Sequence, residues 1–210
     1  MNKHLLTAAA AAALALASFG ASAASELVGN GSFEADAVAQ GTWGLFTAPV
    51  DWTVSYEAGA PTTGLELRND IVGTAQDGHN FAELDADRNV TITQDLATVA
   101  GQTYTLSFWY SDRAGTQAFT NGLSFSVGDV LSGGVAGADN TGADNVWHHV
   151  SRTFVADGST TALSFTGTGA SDSLGMSLDN VSVLAVPEPA TVGLLACGLA
   201  LVGVARRRQR

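Results

Sequence analysis

Lysine is almost missing from this 210-residue chain, whose single lysine is Lys3. Cysteine is as scarce: Cys197 stands alone near the C-terminus, so the stretch before it holds no disulfide. Between residues 24 and 186 the only cationic side chains apart from histidine are Arg68, Arg88, Arg113 and Arg152. They face nineteen carboxylates, a net charge of 4 − 19 = −15. So acidic a surface repels nucleic acid and anionic lipid, which excludes both as partners and favours neutral ligands and divalent cations. Helix-period stretches are missing from the same region. Also missing are a Gly-x-Ser-x-Gly turn, a His-Glu-x-x-His pair, a phosphate-cradling glycine loop followed by lysine, and a cysteine nucleophile in the body. The sequence therefore reads as non-catalytic, although its many carboxylates leave a glycosidase-type acid pair open.

The two ends have characters of their own. Lys3 and His4 precede an alanine-rich apolar run over 5–16, and Ala21-Ser22-Ala23 supplies small residues at a cleavage site, so residues 1–23 read as a secretory signal peptide. At the other end Pro187-Glu188-Pro189 is followed by the uncharged segment 190–205 and then by Arg206, Arg207, Arg208, Gln209 and Arg210. As a helix this segment would be roughly 24 Å long, short of the ~30 Å hydrocarbon core. It spans only by thinning the bilayer or by letting its arginines snorkel, with the basic cluster on the cytoplasmic side. The order Pro-Glu-Pro, short apolar helix, arginine cluster over 187–210 resembles the PEP-CTERM sorting signal. That resemblance implies a membrane-anchored precursor, processing by an exosortase, a transient stay in the inner membrane, and delivery to the cell envelope or extracellular matrix. The alternative for this segment is an ordinary single-pass anchor.

The body, 24–186, is long enough for one domain with a real core. Short alternating runs recur in it, separated by Gly, Asn, Asp and Ser. The clearest is 103–111, where Tyr104, Leu106, Phe108 and Tyr110 point one way and Thr105, Ser107, Trp109 and Ser111 the other. Further strands are predicted near 27–33 and over 52–57, 64–72, 80–84, 89–96, 123–127, 147–155, 161–166 and 176–184. Residues 41–52 and 128–144 read as loops. The count and spacing predict an all-β, jelly-roll β-sandwich.

Four segments carry a further resemblance. Leu27-Val28-Gly29-Asn30-Gly31-Ser32-Phe33-Glu34, the run Gln102 to Phe108, and Leu178-Asp179-Asn180-Val181-Ser182-Val183 resemble the opening, central and closing strands of carbohydrate-binding-module and galactose-binding-like jelly rolls. The run Asp77 to Asp85 resembles a strand of DUF642-like proteins. In such jelly rolls the first and last strands lie side by side, and many hold a structural calcium near that seam. Carried across, the resemblance implies Glu34 and Asp179 as carboxylate ligands to Ca2+, with Asn180 and carbonyls of Gly29 to Gly31 or the Asp77-Gly78 region completing the shell. The alternative is that both carboxylates cap strand ends and accept backbone amides.

A glycan partner follows from the aromatic residues. Neutral sugars pack C–H faces on aromatic rings while polar side chains bond their hydroxyls. Trp109 lies on the polar face of its strand, at the same parity as Arg113, and both are candidate sugar-binding residues; the alternative is that a loop such as Gly115–Asn121 covers Trp109. Trp43 and Trp52 flank the 41–52 loop, where they either build a rim platform or plug one end of the sandwich. His148 and His149 are adjacent on a strand and point in opposite directions, so they cannot chelate one metal from one face. The expected protein is an exported glycan-binding domain associated with exopolysaccharide. The alternative is an adhesive biofilm matrix protein with no discrete sugar site.

Overall fold

Alternating side chains over a two-residue period force a half-buried chain into sheets, and two sheets bury each other. In the computed structural model, which describes residues 25–56 and 64–187, eleven strands do this. They are β1 (Trp43–Phe46), β2 (Thr53–Ser55), β3 (Leu65–Asn69), β4 (Asn80–Glu83), β5 (Thr91–Ala97), β6 (Thr103–Ser111), β7 (Gly122–Val127), β8 (Leu131–Ala136), β9 (His148–Val155), β10 (Thr160–Gly167) and β11 (Ser177–Ala185). One sheet has six strands in the order β1-β3-β4-β11-β6-β9, the other five in the order β2-β5-β10-β7-β8, and all pairs are antiparallel. The chain changes sheet at every connection except the β3–β4 and β7–β8 hairpins. That alternation gives the sandwich its jelly-roll character.

The core is the layer between the sheets. Leu67, Leu106, Phe108, Leu178 and Val183 face Ile92, Phe125, Leu163 and Phe165, all nearly solvent-free. Phe108 sets its ring edge-on to Phe125 at 5.1 Å and to Phe165 at 5.0 Å, which ties the two layers together. Strands β3 and β4 are buried on both faces, because loops cover their outer side chains as well.

Three local expectations need correction. Residues 27–33 form no strand and turn over 29–32; the seam with the last strand is marked by an isolated bridge, Glu26 to Leu184, and by bonds from the Leu27 N–H to the Val183 carbonyl and from the Val181 N–H to the Gly31 carbonyl. Residues 43–46, within an expected loop, are edge strand β1. Residues 131–136, read as loop because Ser132-Gly133-Gly134 lacks periodicity, are edge strand β8. An edge strand is recruited by its one neighbour and needs no apolar alternation of its own. At β8 the ring of Phe125 fills the space over Gly133, where a Cβ would come within 2.6 Å of it. The signal peptide, the apolar tail segment and its arginines lie outside the described residues, among which no helix is long and apolar enough to cross a membrane.

Candidate functional site

The outward parity of β6 places Trp109 on the outer face of the six-stranded sheet, opposite His149 of β9. The rings lie 4.8 Å apart, tilted by 36°. One residue along, Tyr110 and His148 make the same contact on the opposite face, at 5.4 Å and 30°. The two histidines thus diverge, as strand geometry requires. Below the aromatic pair the face is a strip of hydroxyls: Ser107 stands between Ser151 of β9 and Ser182 of β11, and Thr105 faces Thr153. The Ser182 hydroxyl donates to Glu26 Oε2 at 2.5 Å, while Glu26 Oε1 accepts the amides of Leu27, Val28 and Val183. Trp109 is half-buried and His149 and Ser151 are exposed, so the ring pair and the hydroxyl strip both reach solvent in part.

The upper part of this face is closed by ions. Glu83, fully buried, takes Arg113 Nη1 on Oε1 at 2.5 Å and contacts Arg68 Nη2 through Oε2. Arg68 turns its Nε to Glu66 at 2.7 Å, and the Gly175 amide also donates to Glu83. Burial pushes the Glu83 carboxyl up to about 7, against the pull of the two guanidiniums. Arg113 is further bonded to the Ser173 carbonyl. It shares a face with Trp109, but its charge is committed to Glu83. Trp147 caps the same region, edge-on to Phe81 at 5.9 Å, with its Nε1 on the Thr74 carbonyl.

The other two tryptophans separate. Trp43 is 55% exposed on β1, four strands from Trp109 and so roughly 19 Å away at the usual strand spacing, which puts it outside the same subsite. Trp52 is 4% exposed, packs on Phe33 at 5.9 Å and Phe165 at 6.4 Å, and donates its Nε1 to the Asn30 carbonyl. It is a core residue that closes one end of the sandwich and offers nothing to a ligand.

The seam carboxylates take the hydrogen-bonded alternative. Asp179, with no exposed surface, accepts the amides of Gln76 at 2.8 Å, Asp77 at 3.0 Å and Asn180 at 2.6 Å. Glu34 Oε1 accepts those of His79 at 2.7 Å and Asn80 at 2.5 Å. The two carboxylates grip opposite ends of the 76–80 loop rather than one point. Gly29 exchanges two hydrogen bonds with the Gln94 side chain, the Gly31 carbonyl accepts from Val181, and Asn180 donates its amide to Gln76. Both oxygens of Asp179 and Oε1 of Glu34 thus accept backbone N–H groups. Among the described residues, no three acidic, histidine or cysteine side chains gather round one point. Burial raises the Asp179 carboxyl to about 7, since its donors are amides rather than a cation.

Sequence reasoning located Trp109 beside Ser107 on one face of its strand but missed the cross-strand partners His149, Ser151, Ser182 and Glu26. Alternation placed each side chain on a face; only cross-strand register brings them together.

The family model described as the PEP-CTERM protein-sorting motif matches residues 185–209. The chain carries a PEP-CTERM sorting motif. Its match begins at Ala185, the last residue of β11. The multifunctional-autoprocessing repeats-in-toxin protein of Vibrio cholerae serotype O1 is 33% identical over 115 residues, 53% of this chain; the chain spans about 2% of that relative's length. Among solved structures, a Stig cyclase from Fischerella sp. TAU in complex with an indole ligand superposes with a TM-score of 0.58 at 16% identity, over 79% of this chain and all of that one. The carbohydrate-binding module TmCBM61, in complex with β-1,4-galactotriose, superposes at 0.49 and 16% identity over 78% of this chain and 99% of that one. The likeness to the cyclase is one of fold.

Proposed function

We propose that this protein is an exported, non-catalytic glycan-binding domain, processed through its PEP-CTERM motif by an exosortase and delivered to the envelope or exopolysaccharide matrix. The observation that carries the reading is the Trp109–His149 pair standing over the Ser107, Ser151 and Ser182 hydroxyls. A half-exposed indole beside neutral hydroxyls suits a sugar ring, whose C–H face packs on the aromatic while its hydroxyls reach the strip. The acidic, lysine-free body supports a neutral glycan over an anionic one.

The test is retention of the full-length chain, kept in mild detergent, on dextran, hydroxyethylcellulose and galactan. His149→Ala, at an exposed position, leaves the fold intact and weakens binding about tenfold, equivalent to ~1.4 kcal/mol. Trp109→Ala weakens it further; because that ring is half-buried, its fold is verified by circular dichroism. Unchanged retention of both variants on every glycan that the wild type binds removes the site, and a wild type that binds none removes the function.

A further inference from the structure

Four strands of the five-stranded sheet repeat one tripeptide pattern of hydroxyl, apolar, hydroxyl. It occurs as Thr53-Val54-Ser55 on β2, Thr91-Ile92-Thr93 on β5, Ser164-Phe165-Thr166 on β10 and Ser124-Phe125-Ser126 on β7. The central residue of each packs toward the core, so both hydroxyls of each face outward. The pairing aligns them: Thr53, Thr93, Ser164, Ser126 and then Ser132 of β8 form one row, and Ser55, Thr91, Thr166 and Ser124 the next. No charged residue interrupts either row, on a body that carries nineteen carboxylates. Where β10, β7 and β8 meet, the face is hollowed into a groove of about 360 Å³ lined by these serines, Thr166 and Phe125.

The hydroxyls are held in place. Thr91 and Thr166 pair at 2.8 Å, and Thr93 and Ser164 at 2.9 Å. Each paired hydroxyl keeps hydrogen-bonding capacity for a ligand, and threonine's stiff side chain gives up little freedom when one binds. The rows step about 4.8 Å from strand to strand, close to the advance of one sugar ring in an extended chain. A chain crossing the strands therefore meets a fresh hydroxyl pair at each ring. The hollow that makes the groove also spoils a match to a flat crystalline face, whereas a single chain follows it.

We propose that this array is a second glycan surface, taking a neutral polysaccharide chain laid across β5, β10, β7 and β8, so that one domain bridges two chains. The inference rests on the glycan-binding reading above, which it extends from one face to two. The two outer faces look in opposite directions across the sandwich, so their ligands belong to different chains or to distant stretches of one chain.

Bridging is read by the clumping of dextran-coated or hydroxyethylcellulose-coated beads by the full-length chain in mild detergent, with bead-bound protein measured in parallel. The wild type binds and clumps. The triple variant Thr93→Val, Ser164→Ala, Ser126→Ala still binds through the Trp109 face. It requires about tenfold more protein to clump beads, as the loss of two or three ordinary hydrogen bonds implies. Ser126→Ala alone shows the same direction more weakly and guards against misfolding of the triple variant. Clumping by the triple variant at the wild-type concentration overturns the proposal, as does a wild type that binds beads without clumping them. A wild type that binds no bead overturns the glycan-binding reading itself.

Discussion

Replacing Asp179 with asparagine keeps the shape of the seam and removes its charge. The wild-type carboxylate is sealed from solvent at a β-bulge, where Asn180 takes a left-handed φ of 46° so that Leu178 and Val181 both reach the core. It is stabilised only by three amides, and burial raises its carboxyl from 3.8 to about 7. The folded domain then holds the proton more tightly than the unfolded chain. This contribution is fully present below about pH 4 and is lost as the pH rises through about 7. At about 1.4 kcal/mol per pH unit, the rise amounts to on the order of 4 kcal/mol between acid and mildly alkaline pH. Asp179→Asn cannot titrate. Its amide oxygen can still serve Gln76 and Asp77, but its NH2 then opposes the Asn180 N–H, at a cost of about 1–3 kcal/mol. The variant is therefore within about 1 kcal/mol of wild type near pH 5 and more stable than it, by about 1–3 kcal/mol, near pH 8.5. Urea unfolding of the full chain followed by tryptophan fluorescence across that range measures both. Some slope persists in the variant, because burial raises Glu83 as well. Identical pH slopes in the two proteins would refute the reasoning, and a slope abolished by added calcium would show that a cation holds Asp179 ionised after all.

Two further outcomes follow from buried contacts. Glu83→Ala leaves the Arg68 guanidinium, which is 2% exposed, with Glu66 as its remaining carboxylate, and should lower the unfolding free energy by about 3 kcal/mol; a loss under about 1 kcal/mol in chemical denaturation would show the network to be incidental. At Gly31 a Cβ would sit 2.0 Å from the Val181 carbonyl, so Gly31→Ala must push the opening turn off the last strand, lowering the melting temperature and exposing Trp52 to fluorescence quenching by acrylamide.

The expected strands at 103–111, 80–84 and 176–184 match β6, β4 and β11 closely; 103–111 carries a full apolar alternation of its own, whereas β4 is buried on both faces and β11 is interrupted by its bulge. Strands β1 and β8 escaped notice because their neighbours create them. The candidate site divides the same way. Trp109 was legible as an aromatic on a polar face, and the two histidines as divergent. Trp52 was legible only as one of two alternatives, rim platform or plug, since the partners that decide for the plug, Phe33 and Phe165, lie far from it in sequence.

By itself the sequence determined the sorting motif, the lysine-free acidic body, the all-β class and the face each strand residue takes, all properties of composition or of a two-residue period. Only the tertiary structure decided that Arg113 is spent on Glu83, that Asp179 and Glu34 hold a loop, and that four scattered hydroxyl triplets become one surface. The physical reason is that register and cover are set between segments tens of residues apart, by which strands pair and which loops fold over them.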